Sequence, residues 1–161
     1  MLSDEQFTSC ARRHMDTIFR VAFNYMKNRT DADDITQNVL LKLYNSNKAF
    51  ESDDHIKHWL IRVTINECKK TLIAPWRHTE PISDYSDSLQ FMSQEHSDLF
   101  DTVMELPKKY RMVIFLHYYE DYSTEEISKL LGIPKATVCT HLSRGRERLK
   151  EILLLEATKN V

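Results

Sequence analysis

An all-α fold of two small helical domains joined by a flexible linker is predicted by three observations on the sequence. Apolar residues recur at the spacing of helix turns, and no segment shows the alternation of a half-buried strand. Two glycines and four prolines are few for a chain of 161 residues. One stretch, 73–93, interrupts the pattern with prolines, serines and aspartates, as linkers do. We therefore predict domains at 1–72 and 94–161.

The composition narrows the classes of protein to consider. The longest apolar runs are too short to cross a bilayer, and the N-terminus lacks a basic stretch followed by an apolar core. A cytoplasmic protein is therefore expected. Its formal charge of −2 excludes a generally basic surface, so contact with nucleic acid has to come from local patches. The three cysteines, Cys10, Cys68 and Cys139, are widely spaced, which favours reduced thiols.

The first two helices are predicted from caps and apolar stripes. Ser3 and Gln6 have the spacing of a capping box, so the first helix begins there and is expected to end near Asn28. Thr30 with Asp33 is expected to cap the second helix. The inward side of this second helix is predicted at Ile35, Val39, Leu40 and Leu43. Acidic residues in its first turn are what the helix dipole favours, whether or not they bind a partner.

A polar loop, 45–54, is predicted before a third helix. Asp54 is expected to cap this helix, which runs to about Leu72. Its apolar side is predicted at Ile56, Trp59, Leu60 and Val63. Because Trp59 falls on that stripe, a core position is favoured over a role in binding. The polar side is predicted at Arg62, Asn66, Lys69 and Lys70.

A helix-turn-helix is predicted in the C-terminal half. Helical spacing resumes at about Gln94. Ser123 and Glu126 form a capping box that starts a short helix, and Gly132 suits the left-handed position that ends it. The next helix is expected from about Lys135 towards Leu154, with Val138 and Leu142 on its buried side. Two helices joined by a tight glycine turn are typical of this DNA-binding motif.

The second helix of the motif is expected to enter the major groove of DNA. The side chains predicted to face base edges are Lys135, Thr137, Thr140 and His141. Those predicted to lie nearer phosphates are Arg144, Arg146 and Arg148. A plain helical hairpin with a solvated basic face is the alternative, but the joint spacing of cap, glycine and basic helix favours the DNA-binding motif.

Both halves of the chain carry residues in a pattern that is typical of one protein family. In the N-terminal half these residues are Ala32-Asp33-Asp34, Gln37, Trp59-Leu60, Arg62 and Asn66. In the C-terminal half they are Leu106-Pro107, Arg111, Val113, Glu120, Ser123, Glu126-Ile127, Leu131-Gly132, Thr137-Val138, Leu142 and Arg144-Gly145-Arg146. With both halves in this order, the chain resembles an extracytoplasmic-function sigma factor of the bacterial sigma-70 family. It departs from the family pattern at Asn38, at Glu67, and at Cys139 with His141, where a basic pair is usual.

The resemblance implies a transcription initiation factor that binds core RNA polymerase, directs it to promoters and helps open the DNA. It assigns 1–72 to sigma region 2, which binds polymerase and melts the downstream promoter element, and 94–161 to region 4, which recognises the upstream element. It implies contacts with the clamp helices of the largest polymerase subunit, with the flap and with promoter DNA. An anti-sigma factor is a further expected partner.

The resemblance and the side-chain chemistry together give candidate residues in the N-terminal half. Polymerase binding is implied at Asp33, Asp34 and Gln37. Single strands are held by basic groups on the backbone and by aromatic or amide groups on the bases. The candidates for the melted strand are therefore Lys48, Phe50, Arg62, Asn66 and Lys69. The amide of Asn66 suits a base edge, while Arg62 and Lys69 suit phosphates.

Other functions are less well supported by the sequence. Its seven histidines and three cysteines show no group of four ligands, so we expect no metal or other cofactor. We expect no enzymatic activity and no small-molecule substrate. The main alternative is a helix-turn-helix regulator whose N-terminal helices form a sensor or dimerisation domain. A helical adaptor protein is a third possibility.

Overall fold

The structure of the protein, a computed structural model, describes residues 1–73 and 94–159, with the backbone alone for 94–98. These residues form two compact units, one from each half of the chain. Within the described ranges every regular element is a helix, so the predicted all-α class is confirmed. The predicted linker, 73–93, lies outside the described residues except for Ile73, and the domain boundaries stay a prediction.

Within residues 1–73, the N-terminal unit contains three mutually packed helices: α1 (Asp4–Met26), α2 (Arg29–Tyr44) and α3 (Asp53–Ile73). The capping box predicted for α1 is confirmed. The Ser3 hydroxyl accepts from the Gln6 N–H at 3.1 Å, and the Gln6 amide oxygen accepts from the Ser3 N–H at 2.9 Å. The helix ends at Lys27, a left-handed residue whose N–H donates to the Phe23 carbonyl.

The caps predicted for α2 and α3 are wrong by one or two residues. Asn28 caps α2, because its side-chain oxygen accepts from the Asp31 N–H at 2.9 Å, and Thr30 already lies in the first turn. Asparagine and threonine are both favoured at the N-cap position, so the sequence offers two candidate caps for α2. At α3 the hydroxyl of Ser52 accepts from the backbone of His55, which places Asp54 inside the helix.

The core of the N-terminal unit is formed by apolar side chains from all three helices: Ile18, Val21, Ala22, Phe23, Ile35, Val39, Leu43, Leu60, Ile61 and Ile65. On α2, Leu40 is half-buried, whereas the other three predicted positions are buried. On α3, Trp59 and Val63 are half-buried, and Ile61 and Ile65 are fully buried in their place. The inward side of α3 is thus rotated from the predicted one, which leaves Trp59 at the edge of the core.

The described part of the C-terminal unit, residues 94–159, contains four α-helices: α4 (Gln94–Met104), α5 (Lys108–Ile114), α6 (Thr124–Leu131) and α7 (Lys135–Lys159). A π-helical turn, Phe115–Tyr119, continues α5. The predicted helix-turn-helix comprises α6 and α7. Its capping box at Ser123 and Glu126 is confirmed, as is the left-handed Gly132 with φ 70°.

The helices α5 and α7 pack closely against each other at Gly145. A Cβ placed there would lie 3.0 Å from Cγ1 of Ile114 and 3.4 Å from Cβ of Tyr110. The hydrogen side chain therefore lets the two helices pack closely, next to the buried Val138 and Leu142 that were predicted for α7. This packing fixes which sides of α7 remain exposed.

Candidate functional sites

The predicted polymerase-binding residues lie together on the exposed side of α2. Asp33, Asp34 and Gln37 are all exposed, and the opposite side of the helix carries the buried Ile35 and Val39. Two exposed apolar residues that the sequence analysis missed continue this side, Leu41 at 59% and Tyr44 at 41% exposure. Their spacing of four and seven residues from Gln37 was the available signal. We call these five residues the α2 face.

The loop before α3 ends in an aromatic cluster. The ring of Phe50 meets the rings of His55 and Trp59 edge to face, at centroid distances of 5.4 and 5.5 Å. Phe50 and Trp59 are both half-buried, so each keeps part of its ring accessible. Lys48 is exposed two residues earlier in the same loop.

The predicted strand-binding residues of α3 form one exposed stripe. Arg62, Asn66 and Lys69 are exposed and lie at spacings of four and three residues, so they project from the same side of the helix. His55 and Trp59 lie on that side in the preceding turns. The aromatic cluster, amide and basic groups therefore follow one another along a single surface, which we call the α3 stripe.

Glu67, which departs from the family pattern, points away from this stripe. One of its carboxylate oxygens lies 2.6 Å from the Lys42 ammonium on α2 and 3.5 Å from that of Lys70. Partial burial acts to raise the pKa of Glu67, but the hydrogen bond and charge of Lys42, helped by Lys70, outweigh it and lower the pKa. The acid therefore connects α3 to α2 and does not lie on the α3 stripe.

The first residue of α3 is attached to α1 by two side chains. One carboxylate oxygen of Asp53 lies 3.0 Å from Nε2 of the buried His14 and 2.9 Å from Nη2 of Arg13. The hydrogen bond with His14 is the largest cause of a lowered pKa at Asp53, and the charges of His14 and Arg13 add to it against partial burial. The start of α3 is thereby fixed on α1.

On α7, two predicted base-reading side chains are engaged within the unit. Lys135 is paired with Glu125 of α6 at 3.1 Å. The ring of His141 meets Tyr110 of α5 edge to face at 5.5 Å, and its Nδ1 is buried without a hydrogen-bond partner among the described residues. Burial lowers the pKa of His141, as do the charges of Lys109 and Arg144.

The arginines of α7 are exposed but also contact tyrosines. Arg148 lies 5.0 Å from the ring centre of Tyr110, and Arg146 donates to the Tyr118 hydroxyl at 2.8 Å. Burial acts to raise the pKa of Tyr110, but the hydrogen bond from Arg144 and the nearby cations outweigh it and lower the pKa. These tyrosine contacts hold the exposed arginines in defined positions.

In the first turns of α7 the side opposite the core carries small residues, of which the sequence analysis had selected Thr140. Ala136, Cys139 and Ser143 are exposed on the same side at spacings of three and four residues. These residues were missed because small side chains give no charge signal. Thr137, which was predicted to face DNA, is half-buried.

A second feature that the sequence analysis missed is an apolar groove of about 440 Å³ in the C-terminal unit. It lies between α4, the end of α5 and the later turns of α7, and it is lined mainly by Leu99, Val103, Ile114, Tyr118, Leu149, Leu153 and Leu154. Arg146 and Lys150 add positive charge to it. We call this feature the α7 groove.

Comparison with known proteins identifies the family. Residues 10–77 match the family described as Sigma-70 region 2, and residues 97–149 match Sigma-70, region 4. The RNA polymerase sigma factor SigV of Bacillus subtilis is 30% identical over 149 residues, covering 88% of this chain and 87% of that protein. The chain belongs to the sigma-70 family. The resemblance seen in the sequence is confirmed.

Further relatives place this sigma factor in the extracytoplasmic-function group. The ECF RNA polymerase sigma factor SigW of Bacillus subtilis is 29% identical over 167 residues, covering 92% of this chain and 89% of that protein. The protein is therefore a transcription initiation factor. The alternative of a regulator with a sensor domain is not favoured, because the N-terminal half also matches the family.

Two solved structures share the fold. The sigma factor RpoE of Bartonella quintana, in complex with the anti-sigma factor NepR, has a TM-score of 0.69 at 21% identity, covering 91% of this chain and 96% of that one. CnrH, in complex with the cytosolic domain of CnrY, has a TM-score of 0.64 at 21% identity, covering 94% and 89%. Among the described residues of this sigma factor, no helix is long and apolar enough to cross a membrane.

Proposed function

We propose that this sigma factor holds core RNA polymerase through the α2 face, opens promoter DNA with the α3 stripe and recognises the upstream promoter element with α7. The observation that carries the proposal is the α3 stripe. It combines a ring for a displaced base, an amide for a base edge and basic groups for the backbone along one exposed surface.

Polymerase binding is assigned to the α2 face, against the clamp helices of the largest subunit. Its acidic half offers Asp33 and Asp34 to basic groups, while Leu41 and Tyr44 supply apolar area beside them. Interfaces gain most of their affinity from a few apolar and aromatic anchors surrounded by polar contacts. The arrangement of acids followed by apolar side chains suits such a surface.

Strand opening is assigned to Lys48, Phe50, Arg62, Asn66 and Lys69. Removing a base from the duplex costs a few kcal/mol, which contacts with the extruded base have to offset. A cavity beside Phe50, lined also by Ile56 and by α1 residues including Ser9 and Arg13, offers space next to the ring. We propose that a displaced base stacks on Phe50 while Asn66 and Arg62 hold the neighbouring strand.

Upstream recognition is assigned to α7. The small residues Ala136, Cys139, Thr140 and Ser143 allow close approach to base edges, and Arg144, Arg146 and Arg148 supply phosphate contacts. Lys135, Thr137 and His141 remain candidate residues of the same helix. Because Lys135 is paired with Glu125 and His141 packs on Tyr110, we assign them to the edge of the interface.

Further partners follow from the same proposal. The α7 groove suits an apolar helix of the polymerase flap, and its basic residues favour acidic groups on that helix. Because the sigma factor RpoE, which shares this fold, is bound by the anti-sigma factor NepR in its solved structure, we propose that an anti-sigma factor controls this protein too. The protein would act in the cytoplasm without catalytic activity of its own, since polymerase performs the synthesis.

Run-off transcription on genomic fragments tests the proposal. Core polymerase with the wild-type protein is expected to start at discrete sites, and core polymerase alone is not. The purified protein alone should leave duplex DNA unshifted in a gel, whereas a conventional regulator would shift it. Starts that do not depend on the added protein would contradict the proposed function.

A further inference from the structure

The loop that contains Phe50 is joined to α3 by a turn, and a hydrogen bond to the side chain of His55 closes this turn. The backbone N–H of Glu51 donates to Nδ1 of His55 at 3.1 Å, and the backbone N–H of His55 donates to the Ser52 hydroxyl at 3.1 Å. The second bond is an ordinary helix cap. The first is not required by the helix, because it joins a side chain on α3 to the backbone of the preceding loop.

The same imidazole also limits the position of Phe50. The two rings meet at 5.4 Å with an interplanar angle of 72°, and Trp59 meets the Phe50 ring from α3 at 5.5 Å and 69°. Phe50 is therefore held by two edge-to-face contacts, a geometry that aromatic rings favour. His55 makes one of these contacts and also binds the backbone of the next residue in the loop.

The helix that carries His55 is itself fixed at this point. Asp53, two residues earlier, is bound by His14 and Arg13 of α1. At the other end of the loop, the Ser46 N–H donates to the Leu43 carbonyl, and the Ser46 hydroxyl accepts from the Lys48 N–H. Both ends of the loop are thus attached to the helices, and His55 orients the segment that presents Phe50.

We propose that His55 is a positioning residue for strand opening, which holds Phe50 where it receives a displaced base. The inference rests on the proposed function of the α3 stripe. Nδ1 can accept from Glu51 only when it carries no proton, so the ring acts as its neutral form with the proton on Nε2. A loop that is already ordered before binding loses little further conformational freedom when the strand binds.

Three substitutions separate the two contacts of His55. His55→Asn keeps an acceptor close to the position of Nδ1 and removes the ring. His55→Phe keeps a ring beside Phe50 and removes the acceptor, and His55→Ala removes both. Glu51→Ala is the matched control, because it changes the neighbouring side chain and leaves the backbone donor in place.

The first measurement uses holoenzyme on a promoter identified by run-off transcription, with permanganate reactivity for opening and gel shift for the closed complex. His55→Ala is expected to reduce opening about tenfold, as loss of one hydrogen bond and one ring contact implies. His55→Asn and His55→Phe should each reduce opening by a smaller factor than His55→Ala does. Closed-complex formation and polymerase binding should stay unchanged in all three His55 variants. The control variant, Glu51→Ala, should open the promoter as well as the wild-type protein does.

The second measurement is hydrogen exchange of the Glu51 amide in the free full-length protein. Exchange should accelerate in His55→Phe and His55→Ala and remain near wild type in His55→Asn, with thermal unfolding as the check on folding. Equal loss of closed and open complexes in His55→Ala would overturn the positioning role, and so would an unchanged Glu51 amide in His55→Phe.

Phe50→Ala distinguishes failure of this inference from failure of the proposed function. If Phe50→Ala impairs opening and His55→Ala does not, the positioning role is overturned and the proposed function stands. If neither substitution changes opening, the loop has no part in strand capture, and both are overturned.

Discussion

Glu67 and Lys42 form an ion pair of 2.6 Å that joins the middle of α3 to α2. The carboxylate is largely buried, with 12% of its side chain exposed, while the lysine is 46% exposed. An acid on the helix that we propose to bind DNA is therefore used for packing between helices. The carboxylate of Glu67 therefore does not offset the positive charge that Arg62 and Lys69 give to the α3 stripe.

Replacing Glu67 with glutamine is expected to lower the free energy of unfolding by about 0.5–1 kcal/mol at pH 7, a figure reduced for the solvent exposure of Lys42. The folded pKa of Glu67 lies below its ordinary value of 4.5, so the contribution is present above that value. It is lost as the pH falls through the lowered pKa. Urea unfolding of both proteins between pH 7 and pH 3 measures the difference, and a constant difference would contradict the ion pair.

Asp34→Ala and Gln37→Ala are expected to weaken association with core polymerase, because both side chains lie on the exposed α2 face. Leu41→Ala should weaken it as well through lost apolar contact. Loss of affinity of roughly five- to thirtyfold per substitution corresponds to about 1–2 kcal/mol, which is usual for interface anchors. Co-purification and fluorescence titration measure it. Asp16→Ala, an exposed acid on α1, is the control and should bind normally.

Asn66→Ala is expected to impair strand opening more than closed-complex binding, because its exposed amide is assigned to a base of the separated strand. A loss of about tenfold in permanganate reactivity corresponds to one base contact. Arg12→Ala, an exposed basic residue on α1, provides the comparison for general loss of charge. An equal reduction of closed and open complexes by Asn66→Ala would remove the assigned role.

Arg144→Ala and His141→Ala should differ in how binding depends on salt. Arg144 carries a full charge, so its loss is expected to reduce the slope of log affinity against log salt by about one. Burial and the neighbouring cations hold the pKa of His141 below its ordinary value of 6.5, so it is neutral at pH 7.5. Its substitution should leave the slope unchanged. Holoenzyme binding across a salt series checks this, with Lys159→Ala as the control.

Local features of this fold were predictable from the sequence. The capping boxes at Ser3 and Ser123 and the left-handed Gly132 depend on residues within one turn, and all three were predicted correctly. The cap of α2 was predicted wrongly because Thr30 was chosen for its spacing from Asp33, although Asn28, two residues earlier, is the more favoured N-cap residue. Interactions within one turn of the chain therefore predict where the helices form, but they do not determine every helix end.

Features that depend on contacts between helices could not be predicted. His141 and Arg144 have the spacing of DNA-reading residues, but the approach of α5 at Gly145 brings Tyr110 against both. The α7 groove likewise requires α4 and α5 beside the later turns of α7. Periodicity predicts the apolar side of each helix. It does not predict how much of that side the neighbouring helices cover.

The length of α7 has a mechanical consequence. Its 25 residues form one uninterrupted rod of about 37 Å, with the residues proposed to read the promoter in its first half and the leucines of the groove in its second. Gly145 lies near the midpoint, where α5 packs closely against the rod. A ligand that immobilises the C-terminal turns therefore also restricts the orientation of the N-terminal turns that we propose to bind the double helix.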